Sequence, residues 1–395
     1  MACGLWHFCQ SISAVGFTQV EATNVTLVQS VTERVTLLLM PISKYLTNRF
    51  VSAITVATIL LSAQSCLLNA FSQKPSFIVK GKKIYGPDGK EFIAKGVNIN
   101  GSNWVWPREM TQDADLIAKC WKFNLVRVNS LVLPHKGPKW SDNNNLDKLV
   151  TEFTKRKVVV MFTVHDRTGE YFEGSDLKKL VKWHKDLAQK YKDNPYVWFD
   201  VMNEPGAFPP PNRTKWLNLH RQVIKAIRDE AGASNVIMVE GTAWGQDTGT
   251  WDTKPVETVN SAILQDGNNL IKFNGKTYNN IVFSIHTYDQ WKYGDSRLAN
   301  YFDRVLAKNL ALVIGEYGIR NGNQDTTKSV DSMFKTAVSR RIGRVAWHWF
   351  GGDDNDLTTT ENGGGWHVNN CTNPTNLTWL GKKVWSDTHS RTPQK

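Results

Sequence analysis

Two glutamates each close a run of apolar residues. Glu204 follows Val201-Met202-Asn203, and Glu316 follows Val313-Ile314-Gly315. A carboxylate ending an otherwise apolar strand is costly unless it is partnered or functional. Two of them facing one another can cleave a glycosidic bond: one protonates the departing oxygen and the other meets the anomeric carbon. Carboxyl groups about 5–5.5 Å apart give retention through a covalent glycosyl-enzyme, and a wider gap gives inversion. Further polar groups end neighbouring runs: Arg127, His165-Asp166, Asn203, His286-Thr287-Tyr288 and Trp347.

No metal is expected among them. His165 and Asp166 have no third ligand at useful spacing. Asp353-Asp354-Asn355-Asp356 resembles part of a calcium loop but lacks the glycine and distal glutamate at the required offsets, so it reads as a solvated loop. No cofactor is expected either.

The elements that must position these groups alternate. Eight apolar or β-branched runs, Ala94–Ile99, Leu125–Leu131, Val158–His165, Val197–Asn203, Asn235–Gly241, Ile281–Tyr288, Leu310–Tyr317 and Arg344–Trp349, are separated by amphipathic stretches such as Asp113–Phe123, Leu146–Arg156, Asp176–Tyr191, Thr214–Glu230, Leu298–Lys308 and Thr326–Arg341. Between Gly241 and Ile281 the chain is long and Asn/Gly-rich, and its helix is not defined by the pattern. Near-continuous apolar strands alternating with helices imply a parallel sheet covered by helices. Eight units over about 300 residues fit an α/β (β/α)8 barrel better than an open sheet. Neither a dinucleotide glycine fingerprint nor a P-loop follows the first run. Short strands at Phe77–Val79, Lys83–Tyr85 and Glu91–Ile93 predict a hairpin ahead of the barrel. In such a barrel the C-terminal strand ends form the mouth, where the polar groups gather.

At these residues the chain resembles glycoside hydrolase family 5. Val201-Met202-Asn203-Glu204-Pro205 is similar to that family's acid/base strand, and Val313-Ile314-Gly315-Glu316-Tyr317-Gly318 to its nucleophile strand. Arg127, His165, His286-Thr287-Tyr288 and Trp347 fall in the family's order, and the resemblance spans roughly residues 77–385. It implies a retaining enzyme with Glu204 as acid/base and Glu316 as nucleophile. A neighbouring carboxylate is expected to keep Glu204 protonated, and Arg127 to keep Glu316 ionised with a hydrogen bond from Tyr288. Asn203 is expected to meet the sugar 2-hydroxyl, and Trp347 to form the floor at the cleavage point, with Trp349 its rival. His165 and His286 either bind hydroxyls and position the glutamates or are buried histidines without substrate contact. Trp104 and Trp106 are candidates for stacking on sugars further along the cleft. Trp244, Trp251 and Trp291 are either platforms or loop packing.

The substrate signals conflict. His165-Asp166-Arg167-Thr168-Gly169 is similar to a segment of some bacterial mannanases, whereas Asn203-Glu204-Pro205 looks more like cellulases. The expectation is an endo-β-1,4-glucanase, with endo-β-1,4-mannanase as the alternative. A non-catalytic polysaccharide-binding barrel is the reading from another class, and intact Glu204, Glu316, Arg127 and Tyr288 argue against it.

The bulk numbers agree with one large domain: 395 residues, 41% hydrophobic and 21% charged, with 16 tryptophans. The net charge of +12 is spread, with no basic helix or Arg/aromatic strand face, so nucleic acid is not expected as a partner. The expected partner is a β-linked polysaccharide or oligosaccharide, bound by a monomer. Residues 1–75 differ from the catalytic domain expected at 76–395. Lys44 and Arg49 precede the apolar run at 50–63, and small residues follow, the layout of a secretory signal displaced from Met1. Secretion is expected. The alternative is a signal anchor around 50–73, which alone would bring membrane contact. Cys120 and Cys371 are either a disulfide or two buried thiols. Asn212, Asn370 and Asn376 head glycosylation sequons.

Overall fold

The computed structural model describes residues 75–101, 109–134 and 146–390. The chain divides into Met1–Lys74 and Pro75–Lys395, and the second unit holds the barrel. The expected signal or anchor segment lies outside the described residues, as do Trp104 and Trp106. Among the described residues no helix is long and apolar enough to cross a membrane.

Eight parallel strands close into a barrel in sequence order. They are β1 (Lys95–Asn100), β2 (Leu125–Ser130), β3 (Val159–Val164), β4 (Val197–Asp200), β5 (Ile237–Glu240), β6 (Ile281–Thr287), β7 (Leu312–Tyr317) and β8 (Gly343–Ala346). Seven α-helices surround them among the described residues: α1 (Leu146–Thr154), α2 (Gly174–Tyr191), α3 (Arg213–Lys225), α4 (Ala262–Ile271), α5 (Asp295–Ala307), α6 (Thr327–Ser339) and α7 (Trp379–His389). The stretch expected at Asp113–Phe123 is a tighter turn over Met110–Asp113 followed by a wider one over Leu116–Cys120. All eight expected runs become strands, several of them shorter than the apolar pattern. The helix expected at Thr214–Glu230 ends its regular part at Lys225 and widens over Ala226–Glu230. In the ambiguous 241–281 stretch, Ser261 caps α4 by accepting the Leu264 N–H.

Alternation along the strands sorts the core into two shells. Val126, Val128, Val160, Phe162 and Phe199 face the helices. Leu125, Val159, Met161, Trp198, Met238, Val282, Val313 and Val345 fill the lower barrel interior. From beneath, the hairpin Ile78–Lys80/Lys83–Tyr85 closes that interior, with Phe77 packed edge-on against Trp198 at 5.1 Å and Phe92 at 5.0 Å. The third hairpin strand expected at Glu91–Ile93 is reduced to one bridge between Tyr85 and Glu91, so the chain turns into the barrel sooner than its β-branched pattern implied.

Two residues further along each strand the interior changes character. Leu125 gives way to Arg127, Met161 to Thr163, Trp198 to Asp200 and Met238 to Glu240, all fully buried. An apolar plug therefore carries a charged layer, and the mouth stands on that layer. Cys120 and Cys371 form a disulfide with Cα atoms 4.9 Å apart, tying the first crossover to the segment beyond β8.

Candidate active site

Arg127 organises the charged layer. Its Nε donates to Asp200 Oδ2 at 2.8 Å, Nη1 to Glu316 Oε1 at 2.6 Å and Asn98 Oδ1 at 2.9 Å, and Nη2 to Glu240 Oε1 at 2.6 Å, Asn203 Oδ1 at 2.8 Å and Thr163 Oγ1 at 3.1 Å. Burial alone would discourage its charge, but the Asp200, Glu240 and Glu316 carboxylates reverse that and hold the guanidinium protonated. A lysine, with one nitrogen, has no equivalent of this fork.

Glu316 ends β7 facing this cation and also accepts from the Tyr288 hydroxyl at 3.0 Å. Burial and the Glu316 charge push the Tyr288 phenol well above its usual range, so it remains a donor. Glu204 lies just past β4, with its backbone in the left-handed region at φ 49°. Its N–H donates to Glu240 Oε2 at 2.7 Å, and its carboxyl accepts from His286 Nδ1 at 2.9 Å. Gly245, at φ 66°, approaches this pair closely: a Cβ there would lie 3.0 Å from the His286 ring and 3.1 Å from Glu204 Cγ.

His286 is buried and flanked by carboxylates, with Nε2 3.1 Å from Glu240 Oε1 and Nδ1 3.6 Å from Glu316 Oε2. Burial opposes a charged ring, but Glu240 and Glu316 outweigh it and hold the imidazole well above its usual range. Burial pushes the Glu204 carboxyl up to about 7; the His286 hydrogen bond and charge pull the other way, and Glu316 and Glu240 add to the rise. Loss of water, and not the second carboxylate expected from the sequence, is thus the larger cause of the rise. Glu240 is pulled down to about 2, its burial overcome by His286 and Arg127. Burial and the Glu240 charge push Asp200 upward, and the Arg127 charge and hydrogen bond pull it back toward the ionised form that pairs with the guanidinium.

One ligand-type atom from each of Glu204, His286 and Glu316 falls within 4.8 Å of the others. An oxygen of Glu204 and an oxygen of Glu316 therefore lie no more than 4.8 Å apart, so the two carboxyl groups face one another across the cleft. As a metal site the trio is poorly suited, because an imidazolium with both N–H groups directed at carboxylates has no lone pair to offer.

The remaining candidates sit around this pair. Asn203 Nδ2 donates to Thr168 Oγ1 at 3.1 Å, and the Gly169 N–H donates to the Glu204 carbonyl at 2.7 Å, so the His165–Gly169 segment buttresses the acidic strand end. Trp347 is half-buried and lines the cleft. Its ring stacks on His165 at 6.0 Å, and burial and the Arg127 charge hold that imidazole well below its usual range. Trp349 is fully buried with its indole N–H on Asp113, which removes it as a rival for the floor. The cleft occupies about 630 Å³ and is rimmed by Arg320, Asn321 and Asp353–Asn355. Asp353 and Asp356 spend their oxygens on His348 and on loop N–H groups, as a solvated rim loop requires. Trp244 and Trp251 are 41% and 47% exposed, whereas Trp291 is buried with its N–H on the Gln246 carbonyl and belongs to the packing. Asp166 accepts the Val132 N–H at 2.5 Å and so braces the loop beyond β2.

Asp200 and Glu240 were missed as site residues in the sequence. Each ends an apolar run, Val197-Trp198-Phe199-Asp200 and Ile237-Met238-Val239-Glu240. The cost that drew attention to Glu204 applies equally to them.

Comparison with known proteins bears on this arrangement. The family model described as cellulase (glycosyl hydrolase family 5) matches residues 85–353. A mannan endo-1,4-beta-mannosidase of Cellvibrio japonicus (strain Ueda107) is 29% identical, over 77% of this chain and 67% of that protein. Endoglucanase Z of Dickeya dadantii (strain 3937) is 25% identical over 80% and 67%. The mannanase catalytic domain of Streptomyces sp. SirexAA-E has the same fold, with a TM-score of 0.61 at 23% identity, covering 80% of this chain and 90% of that one.

Proposed function

The chain belongs to glycosyl hydrolase family 5 and is an endo-β-1,4-glycanase, and from that premise we propose a retaining endo-β-1,4-mannanase with Glu204 as acid/base and Glu316 as nucleophile. The observation that carries the roles is the asymmetry of two carboxyl groups within reach of each other. Glu316 faces a guanidinium and a phenol. Glu204 faces the His286 ring at 2.9 Å instead, and burial raises its carboxyl pKa to about 7. In the first step the protonated Glu204 gives its proton to the leaving glycosidic oxygen while a Glu316 oxygen bonds the anomeric carbon. In the second, the Glu204 carboxylate takes a proton from water as that water displaces Glu316, restoring both groups. Asn203, anchored by Arg127 and Thr168, is disposed toward the 2-hydroxyl, and Trp347 toward the sugar face.

Mannan replaces glucan as the favoured substrate. The Cellvibrio mannosidase is more similar than the Dickeya endoglucanase. The mannanase-like His165–Gly169 segment also braces Asn203 and Glu204 directly. Glucan remains the second reading, supported by the Asn203-Glu204-Pro205 strand and the endoglucanase relative. The disulfide supports export into an oxidising compartment.

Initial rates on soluble mannan, β-glucan and xylan, for wild type, Glu204→Gln and Glu316→Gln, test the reading. Mannan should be the fastest, and both variants should lose nearly all activity on it. A faster glucan rate overturns the substrate, near-normal variants overturn the roles, and initial release of the inverted anomer by NMR overturns retention.

A further inference from the structure

We infer that Glu240, at the end of β5, is the positioning residue of the acid/base, holding Glu204 by its main chain and, through His286, by its carboxyl. The inference rests on the reading of Glu204 as acid/base and assigns a role to a residue outside the pair.

Glu204 needs holding. A glutamate in the left-handed region is in an unfavourable conformation that persists only where its surroundings over-determine it. Its N–H donates to Glu240 Oε2 at 2.7 Å. Its carboxyl is fixed by His286 Nδ1, and the other nitrogen of that ring rests on Glu240 Oε1 at 3.1 Å. One buried carboxylate therefore grips the acid/base at both ends. Gly245 completes the cage, since its carbonyl accepts the main-chain N–H of His286 and its missing side chain leaves room for Glu204.

The nucleophile does not depend on Glu240 in the same way. Tyr288 and Arg127 donate to Glu316 directly, whereas His286 stands 3.6 Å from it, beyond hydrogen-bond distance, and Arg127 has four partners besides Glu240 and Glu316: Asp200, Asn98, Thr163 and Asn203. Loss of the Glu240 charge should loosen one catalytic group and largely spare the other. A glutamine is enough to test this. Glu240 accepts on both oxygens, from Arg127 and His286 on Oε1 and from Glu204 on Oε2, whereas an amide accepts on one only. In either orientation its NH2 group confronts a donor. The ionisable and charged groups facing His286 are Glu204, Glu240 and Glu316, with Arg127 beyond Glu240, Tyr288 edge-on at 6.4 Å and His165 near enough to feel the His286 charge.

The experiment compares kcat/KM of wild type, Glu240→Gln, Glu240→Asp and Glu204→Gln on two substrates built from the preferred sugar. One is an unactivated tetrasaccharide, whose leaving group needs a proton. The other is a 2,4-dinitrophenyl glycoside, whose leaving group does not. Glu240→Gln should lose about 100-fold on the tetrasaccharide and stay within about threefold on the aryl glycoside, the pattern of lost acid catalysis with an intact nucleophile. Azide, replacing the water that needs a base, should raise turnover of the aryl glycoside. The alkaline limb of the pH profile should move, and Glu240→Asp, which keeps the charge, should recover part of the tetrasaccharide rate. Thermal unfolding checks that each variant is folded, and Glu240→Asp carries the comparison if Glu240→Gln is not. An equal fall on both substrates, or an unchanged tetrasaccharide rate, overturns the inference. If Glu204→Gln itself gives no split between the substrates, the assignment of Glu204 has failed, and that outcome is distinct from an intact Glu204 split without one at Glu240.

Discussion

Arg127 Nη1 donates to Glu316 Oε1 at 2.6 Å from a guanidinium that also binds Asp200 and Glu240. The nucleophile candidate is thus fixed to the same cation that neutralises the layer beneath it. Arg127→Lys keeps the charge but removes the planar fork. Several buried acceptors would then lose their donors at once. We expect kcat/KM to fall at least about 100-fold and stability to fall by about 3–5 kcal/mol, the usual cost of breaking a buried ion pair. Urea denaturation and initial rates check both, and an unchanged midpoint with normal activity would contradict the arrangement.

Tyr288→Phe removes one neutral donor from Glu316 and leaves Arg127 in place. The protein should remain folded, because a phenyl ring fills nearly the same space. A fall in kcat of about 10–100-fold is expected, since the lost bond bears on the charge that changes during attack. If kcat holds and only KM rises, Tyr288 serves binding rather than the nucleophile.

The pH dependence of activity follows from Glu204. To act as acid it must carry a proton, and its carboxyl is raised to about 7. kcat/KM should therefore be maintained below that pH and decline through it as the proton is lost, giving the alkaline limb of the profile. In Glu204→Gln that limb should disappear from whatever residual rate remains on an activated aryl glycoside. A wild-type alkaline limb near pH 9 or above would assign the proton to another group.

Much of this site is legible along the chain because strand alternation and barrel polarity do the placing. Once eight apolar runs are counted, Arg127, Glu204, His286 and Glu316 fall at one end without any knowledge of contacts. What could not be read is which groups touch. Asp200 and Glu240 look like ordinary strand ends until Arg127 is seen to need countercharges on three sides. Trp349 and Trp347 share a strand-like alternation, but β8 ends at Ala346, and the chain beyond sends one indole to the cleft and the other into the core. The dominance of burial over neighbouring charge at Glu204 was likewise hidden, because depth is a property of the closed barrel and not of the strand.

The Cys120–Cys371 disulfide joins positions 251 residues apart, near the start and the end of the described barrel. Closing so long a loop restricts the unfolded chain, and removal of the bond should cost about 2–5 kcal/mol. Cys120→Ala/Cys371→Ala, or reductant added to wild type, should lower Tm while leaving kcat/KM at moderate temperature nearly unchanged. Equal Tm values with and without reductant would count against the bond.

The same Glu204 carboxyl carries a stability prediction with a definite sign. Its folded pKa, about 7, lies above the ordinary glutamate value of 4.5. Between those two pH values the native protein therefore holds more protons than the unfolded chain, and this group's contribution to stability declines as pH rises. Above the folded pKa the full penalty for a buried charge is present, even though His286 donates to it at 2.9 Å. Glu204→Gln keeps an oxygen for that donor and removes the charge. It should therefore raise Tm by roughly 2–5 °C at pH 8, and by little or nothing at pH 4, where the wild-type carboxyl is already neutral. Paired thermal unfolding curves at the two pH values decide the matter: a gain that is the same at both, or a loss at pH 8, would mean that the charged form is welcome in the folded protein and that Glu204 is not tuned as an acid.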